Sequence, residues 1–306
     1  MMTMNERPAT PATRTAPVGQ YCEAGGRRLW LHTSASGGPS VVFVPAASNV
    51  GLDYLNIHDQ IGGFATSVLY DRAGTGWSDP APLPRTAAEV AGELRELLRA
   101  ANIPGPYMLV AHSLGGAYAR RFGQLFPADV AGLVTLDAFH EDWDEYMAPR
   151  LHLGQAKQPD PGPLQYKLIR PVIARMYRKM LASWPDGIRE PLIDAHLDYA
   201  WFKVGVAERS SMVQLRDELQ GGGSVPDVPV IALTTLAADQ GQSLLLSKQA
   251  LAELNEGKLR LDKALVSAVT AGEQRILPDA RHSTIQIDRP DAVVAAIRDV
   301  LGRSSR

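Results

Sequence analysis

The sequence predicts an α/β protein with a mostly parallel central sheet, helices on both faces of that sheet, and an inserted helical cap. Strand-like and helix-like segments alternate from residue 27 onward, which is the pattern of strand–helix–strand units. Between residues 139 and 224 this alternation stops, and the chain becomes helical, aromatic-rich and repeatedly interrupted by proline. A segment of that length is too long for a loop, so we interpret it as a cap inserted into the sheet domain.

The predicted strands are short apolar runs bounded by turn-forming residues. Residues 28–32 alternate between polar and apolar side chains, as an edge strand does, whereas residues 41–44 are all apolar and are expected to be buried on both faces. Further strands are predicted at 67–71, 107–110, 130–136, 229–233 and 273–277.

The predicted helices of the sheet domain lie between these strands. Residues 85–101 form the clearest one, because apolar side chains recur at helical spacing with charged residues between them. Further helices are expected at 52–61, 117–126, 243–254 and 290–300, the last of which begins with a proline at its first position.

These elements divide the chain into three regions. Residues 1–19 are rich in proline, threonine and alanine and are expected to form a disordered tail. Residues 20–138 and 225–306 together form the sheet domain. Residues 139–224 form the cap, which rejoins the sheet domain through the flexible glycine-rich stretch 221–224.

Composition limits the classes of function. With 306 residues, 45% of them hydrophobic, the chain is long enough to bury one large core. A net charge of −2 argues against a nucleic acid or an anionic membrane surface as partner, and favours a small neutral substrate. Cys22 is the only cysteine, so we expect neither an intrachain disulfide nor a cysteine-based metal site. Without a run of about 18 apolar residues or a signal peptide, we expect a cytoplasmic protein without membrane insertion.

The hexapeptide at 111–116 is the most informative motif, because it places Ser113 between a predicted strand and a predicted helix. Such an abrupt turn strains the central residue and needs small neighbours, which Gly115 and Gly116 supply. The turn would raise the Ser113 hydroxyl above the sheet and point the Leu114 N–H at a developing oxyanion. By itself the hexapeptide also fits a serine that merely caps a helix.

Three further residues follow predicted strands at the edge where parallel sheets place their catalytic groups. His282 follows the last strand and precedes the final helix, so it is the candidate base. Asp137 ends the strand after the Ser113 helix, and Asp239 follows the next strand along the chain. Either carboxylate could accept a hydrogen bond from the Nδ1–H of a catalytic histidine.

Together with these residues, four motifs resemble the α/β-hydrolase superfamily over roughly residues 27–303. They are residues 70–78, residues 111–116, residues 130–137, and His282 followed by residues 288–290. The resemblance implies the α/β-hydrolase fold, a triad in the chain order serine, acid, histidine, and loop-bracing roles for Asp71 and Arg72. Within the superfamily the chain looks like the lidded esterase and lactonase branch. The spacing from Ser113 to Asp137 is also similar to that of zearalenone-type lactonases, whose acid follows this strand.

The resemblance leaves two candidates for the triad acid. Many members carry the acid after the strand that follows the lid, in a Gly-x-x-Asp pattern, which would select Asp239. Here residues 236–238 are Leu-Ala-Ala, whereas Asp137 stands directly at its strand end. We therefore favour Asp137 and keep Asp239 as the alternative.

The resemblance also implies a first oxyanion donor in the turn after residues 41–44, where members of the superfamily carry His-Gly. This chain has Pro-Ala-Ala-Ser-Asn at 45–49. The backbone N–H of Ala46 or Ala47 is then expected to act together with that of Leu114.

The cap contains aromatic and methionine side chains of the kind that line adaptable hydrophobic pockets. As candidates for substrate binding we take Trp143, Tyr146, Met147, Trp184 and Trp201. The alternative is that these side chains form the cap's own core.

The resemblance implies hydrolysis of a carboxylic ester or lactone, a macrolactone included, through an acyl-enzyme and without metal or organic cofactor. The expected partner is a hydrophobic small-molecule ester or lactone, and a homodimer is left open. A cofactor-free C–C bond hydrolase or a perhydrolase could keep the same triad. A non-catalytic receptor that binds a small molecule in the same pocket is the alternative from another class.

Overall fold

A sheet of eight strands forms the centre of the protein in this computed structural model, which describes residues 15–34, 37–155 and 160–304. The strands lie in the order β1-β2-β4-β3-β5-β6-β7-β8. In chain order they are β1 (Gln20–Ala24), β2 (Arg27–Thr33), β3 (Ser40–Val44), β4 (Thr66–Tyr70), β5 (Tyr107–His112), β6 (Val130–Leu136), β7 (Val230–Ala237) and β8 (Gly272–Arg281).

The six strands β3 to β8 are parallel to one another, and β2 alone runs antiparallel to its two neighbours, β1 and β4. The mostly parallel sheet predicted from the alternation of segments is therefore confirmed. The expectation that residues 28–32 form an edge strand is wrong, because β1 pairs with β2 and takes the edge position. β1 is short and mostly exposed, so it gives little hydrophobic signal in the sequence.

Both faces of the sheet are buried, as the continuous apolar run of β3 predicts. Val42 and Val44 belong to the apolar cluster on one face, whereas Val41 and Phe43 belong to the cluster on the other. This alternation follows from the two-residue period of a strand. The sheet is thus a rigid middle layer whose carboxyl edge holds the loops described below.

Twelve α-helices are described around this sheet. Those of the sheet domain are α1 (Leu55–Ile61), α2 (Ala87–Ala100), α3 (Gly115–Leu125), α9 (Gln240–Leu245), α10 (Lys248–Ser267), α11 (Ile285–Asp288) and α12 (Pro290–Ser304). The five that lie between β6 and β7, in the predicted cap segment, are α4 (Trp143–Tyr146), α5 (Pro163–Met180), α6 (Asp186–His196), α7 (Tyr199–Arg209) and α8 (Met212–Gln220). None of the described helices is long and apolar enough to cross a membrane.

Two predicted segments differ from the structure in their extent. The helix expected at 243–254 is in fact two helices, the short α9 and the much longer α10, and α10 continues to Ser267. Within the tail expected at 1–19, residues 1–14 lie outside the described residues. The part that is described packs on the core, since the Trp30 Nε1–H donates to Val18 O at 2.7 Å.

A buried ion pair joins the cap to the sheet domain. The guanidinium of Arg72, in the loop after β4, donates to Glu208 Oε1 of α7 at 2.6 Å, and both side chains are 2% exposed. Arg72 also donates to the carbonyl oxygens of Pro45 and Ala46, while Glu208 Oε2 accepts the Ser48 N–H at 3.0 Å. One cap carboxylate therefore fixes the loop after β3 as well as the arginine beneath it.

Replacing Glu208 with alanine should strongly destabilise the protein. The substitution leaves the Arg72 guanidinium buried without its counter-charge, and breaking a buried pair in this way costs about 3–5 kcal/mol. The control is Asp160→Ala, which removes the exposed cap pair between Asp160 and Lys203 and should leave the unfolding midpoint unchanged. Urea unfolding of both variants measures the difference, and equal midpoints would contradict a cap held by this pair.

Candidate active site

Ser113 lies in a tight turn between β5 and α3, with a backbone φ of +49°. This left-handed conformation is unfavourable for a residue with a Cβ and persists only where its surroundings impose it. A Cβ on Gly115 would collide with the carbonyl oxygen of Val44, and one on Gly116 with that of Phe139. The small residues of the motif therefore let α3 begin directly against the ends of two neighbouring segments.

The Ser113 side chain does not cap α3, because Leu114 is the N-cap residue and makes no side-chain capping bond. The Ser113 Oγ lies instead 3.0 Å from Nε2 of His282. His282 follows β8 directly, and its Nδ1 lies 2.7 Å from Oδ2 of Asp137. A continuous chain of hydrogen bonds thus joins a serine hydroxyl, an imidazole and a carboxylate.

The structure brings Asp137, and not Asp239, to the imidazole of His282. Asp137 follows β6 with a φ of +45° and is only 7% exposed. The Asp239 carboxylate accepts the backbone N–H of Ser283, at 3.3 Å from each of its oxygens. Asp239 therefore contacts the residue after the histidine, not the histidine ring.

Lys258, which is not among the residues predicted for the site, contacts the same carboxylate. Lys258 Nζ of α10 donates to Asp137 Oδ2 at 2.9 Å and to Thr235 Oγ1 at 3.2 Å, and the lysine is 8% exposed. Burial alone would raise the pKa of Asp137, but the Lys258 ammonium and the hydrogen bond from His282 outweigh it. Together they hold the pKa of Asp137 well below its usual range. Asp137 is therefore an ionised carboxylate shared by two donors.

A second buried carboxyl lies one turn further along α10. Asp262 Oδ2 accepts the Thr234 hydroxyl at 2.6 Å, and Thr234 in turn accepts an N–H of Gln274 at 3.0 Å. Burial raises the pKa of Asp262 to about 7, and the nearby Asp137 charge acts in the same direction. Below about pH 7 the neutral form of Asp262 is therefore favoured, next to the ionised carboxylate of Asp137.

Beneath the serine, a buried histidine links the two loops of the site. His112 Nε2 donates to the carbonyl oxygen of His282 at 2.8 Å, since a carbonyl can only accept. Its Nδ1 then accepts the Tyr54 hydroxyl at 2.8 Å, and Tyr54 Oη accepts the N–H of Ala46 at 3.1 Å. Burial lowers the pKa of His112 to about 3, so this histidine stays neutral and structural.

The hydrogen bond from the Ala46 N–H to Tyr54 distinguishes Ala46 from Ala47, the two alternative oxyanion donors predicted in this loop. The Ala46 N–H already donates to Tyr54 Oη, so it is not free to donate to an oxyanion. The N–H groups of Ala47 and Leu114 have no hydrogen-bond acceptor within the part of the chain that the structure describes. Both groups are therefore free to donate a hydrogen bond to a bound molecule.

A cavity of about 500 Å³ opens beside Asp137 and His282. Its walls are mostly apolar and come from the cap, α9 and α10. The apolar lining side chains are Ala138, Trp143, Leu151, Leu245, Leu246, Leu254 and Leu261.

Of the five cap residues expected to bind substrate, only Trp143 lines this cavity. Met147 is buried behind it against Leu254 and Leu261, with Tyr146 packed on the same cluster. Trp184 is 3% exposed, and its indole N–H donates to Leu52 O of the sheet domain at 2.8 Å. Trp201 packs edge-on against Trp77, with ring centroids 5.4 Å apart. These side chains are used for packing within the cap and onto the sheet domain, because large aromatic groups bury the most apolar area.

In the described ranges, no group of three or more His, Cys, Asp and Glu side chains is arranged to hold a metal ion.

Comparisons with known proteins agree with this architecture. A model of the alpha/beta hydrolase family matches residues 41–296. The uncharacterized protein YqjL of Bacillus subtilis is 33% identical over 110 residues, which are 35% of this chain and 42% of that protein. The chain spans less than half the length of the curated relatives it matches.

Two solved structures illustrate the likeness in fold. A thermophilic esterase from Thermogutta terrifontis is 17% identical with a TM-score of 0.59, over 94% of this chain and 99% of that one. Est816, an N-acyl homoserine lactone degrading enzyme, is also 17% identical with a TM-score of 0.59, over 92% of this chain and 99% of that one. At this level of identity the likeness concerns the fold.

The raised pKa of Asp262 should make stability depend on pH. Between about pH 4 and pH 7 the unfolded chain has released this proton while the folded chain still holds it, so stability should fall as pH rises. The slope is at most about 1.4 kcal/mol per pH unit for one carboxyl. Asp262→Asn keeps an acceptor for Thr234 and removes the titration, so its stability relative to the native chain should increase across this range.

Urea midpoints measured at both ends of that pH range test this expectation. The exposed Asp186→Asn variant is the control and should follow the native chain at both values. A constant difference between Asp262→Asn and the native chain would show that Asp262 does not hold its proton in the folded state.

Proposed function

The chain belongs to the alpha/beta hydrolase family, and we propose that it is a serine hydrolase that cleaves a carboxylic ester or lactone of a hydrophobic small molecule. The observation that carries the proposal is the chain of hydrogen bonds from Ser113 through His282 to Asp137. A strained serine in contact with a histidine, which is itself held by a buried carboxylate, is the arrangement that activates a hydroxyl for acyl transfer.

In the first half of the proposed reaction, His282 Nε2 takes the Ser113 proton while Oγ attacks the carbonyl carbon of the substrate. The N–H groups of Leu114 and Ala47 stabilise the resulting oxyanion, and Asp137 balances the charge of the imidazolium. The oxyanion then collapses and breaks the bond to the alkoxide, which takes the proton of His282 and departs as an alcohol. The acyl group remains on Ser113 as an acyl-enzyme. For a lactone, this alcohol stays attached to the acyl group.

In the second half, water attacks the acyl-enzyme while His282 takes one of its protons. The second oxyanion collapses, the carboxylic acid departs, and Ser113 recovers its proton from His282. The exposed face of His282 supports this step, because its side chain is 32% exposed and so accessible to water.

The cavity next to Asp137 and His282 supports a hydrophobic substrate. Its volume of about 500 Å³ falls in the range of small-molecule sites, and five leucines and Trp143 are among its lining residues. An apolar arm of an ester or lactone would lose its hydration on entering and gain contacts with these side chains. Serine at the nucleophile position disfavours halide or epoxide chemistry, which normally requires a carboxylate nucleophile there.

Ser113→Ala and Asp137→Asn should each lower kcat/KM for p-nitrophenyl esters by about 10³–10⁴-fold. The first removes the nucleophile, and the second removes the charge that orients and stabilises the imidazolium. Asp239→Asn is the matched control, because its carboxylate contacts only backbone near the histidine and should retain most of the activity. Initial rates with aryl esters and lactones measure all three variants.

Two results would contradict this assignment. A larger loss in Asp239→Asn than in Asp137→Asn would transfer the acid role to Asp239. Equal, poor hydrolysis by the native chain and Ser113→Ala, with tight binding of a ligand by both, would identify a receptor in place of an enzyme.

Lys258 should act as a positioning residue that reduces the effect of the Asp137 charge on His282. Lys258→Met removes a cation 2.9 Å from that carboxylate and leaves its full negative charge facing the imidazole. The protonated imidazole then becomes more favourable. The acidic limb of the kcat/KM profile should therefore move to higher pH, by about one unit.

Lys258→Arg should restore the native profile, and Lys263→Met, an exposed lysine on the same helix, should leave it unchanged. If Lys258→Met only lowered stability and left the pH profile in place, its role would be structural.

A further inference from the structure

The cap helix α5 presents apolar side chains to solvent. Leu164, Leu168 and Val172 are 80%, 79% and 72% exposed, and Met176 continues the same side of the helix at 46%. These positions are four residues apart, so they form one continuous stripe on a helix. A helix on a protein surface normally turns such a stripe toward the core, and an exposed apolar patch of this kind marks a site of interaction.

The side of α5 that does pack is small. Tyr166 and Ala174 are its only buried residues, and Tyr177 stacks on His196 of α6 with ring centroids 4.3 Å apart. The helix is therefore attached by one narrow face, and its apolar stripe points away from the cap.

The charges on α5 are all positive. The helix contains no aspartate or glutamate, although the whole chain has a net charge of −2. Its basic side chains, all exposed, are Lys167, Arg170, Arg175, Arg178 and Lys179. The charge of α5 is thus opposite in sign to the net charge of the whole chain. One acidic residue of α6, Asp194, lies beside Lys167 and Arg170.

We propose that α5 is an interfacial helix that docks the protein onto an anionic lipid surface. A helix lying in such an interface buries an apolar stripe at the level of the acyl chains and keeps basic residues at the phosphate groups. Arg175 and Lys179 follow Val172 and Met176 by three residues, so they flank the stripe. Their long side chains can reach phosphate while their methylene groups stay with the apolar residues.

The charge pattern favours a lipid surface over a second copy of this chain. A symmetric dimer through α5 would place the same basic residues of both copies against each other. An anionic surface instead neutralises all of them at once. The inference goes beyond the proposed function and does not depend on it, since docking requires no catalytic residue.

Flotation of the full chain with lipid vesicles tests the proposal. The chain should float with vesicles of phosphatidylcholine mixed with phosphatidylglycerol, and not with phosphatidylcholine alone, and added salt should weaken the binding. Replacing Leu168 and Val172 together with serine should weaken it by about tenfold or more. Replacing Lys167, Arg178 and Lys179 together with glutamine should weaken it by about two to three orders of magnitude, since each cation contributes about a factor of five to ten.

The control is Ile276→Ser, which removes an exposed apolar side chain from the edge strand β8 and should bind like the native chain. Circular dichroism of each variant shows whether it is folded. The proposal is overturned if the native chain ignores anionic vesicles, or if either set of α5 substitutions leaves binding unchanged. It is also overturned if the chain dimerises in solution and Leu168→Ser with Val172→Ser abolishes the dimer, because a second copy would then cover this face.

Discussion

The close approach of the backbone around Ser113 is the constraint on which the rest of the site depends. α3 begins so near the ends of its neighbours that neither Gly115 nor Gly116 has room for a side chain. The Ser113 N–H donates to Leu136 O at 3.2 Å, and its carbonyl oxygen accepts the Phe139 N–H at 2.8 Å. These two bonds enclose Asp137, so the backbone that strains the serine also fixes the carboxylate.

One oxygen of the Asp137 carboxylate accepts hydrogen bonds from two side chains, those of His282 and Lys258. Oδ2 lies 2.7 Å from His282 Nδ1 and 2.9 Å from Lys258 Nζ, while Oδ1 accepts the Thr235 N–H at 3.3 Å. Burial of a lone carboxylate would favour its neutral form, and the lysine prevents this. A full compensation of the charge would, however, leave less of it to stabilise the imidazolium. Orientation of His282 is therefore the part of the role proposed for Asp137 that this arrangement preserves best.

The sequence carries the information for the residues at strand ends, and much less for those that reach them from helices. Ser113, Asp137 and His282 could be selected because the carboxyl ends of parallel strands meet at one edge. Lys258 could not, since a lysine in an amphipathic helix usually faces solvent, and only its place on the apolar face of α10 marks it as different. Ala46 is an expected oxyanion donor because it lies in the turn after β3. Its N–H, however, donates to the hydroxyl of Tyr54, eight residues along the chain. Trp184 is a candidate for substrate binding because aromatic cap side chains often line hydrophobic pockets, but the structure packs it onto the sheet domain.

The cap is held to the sheet domain mainly by helices other than α5, so the basic and apolar side chains of α5 can stay exposed although the chain has a small net charge. α6 and α7 hold the cap to the sheet domain through His196, whose Nε2 lies 2.9 Å from Asp53 Oδ1, and through the pair of Glu208 with Arg72. α5 packs on His196 through the ring of Tyr177. A net charge averages over the whole surface, whereas a flat anionic partner responds only to the charges on the face that it meets. The low net charge excludes binding through the surface as a whole, and the segregation of charge on α5 leaves one outer face suited to it.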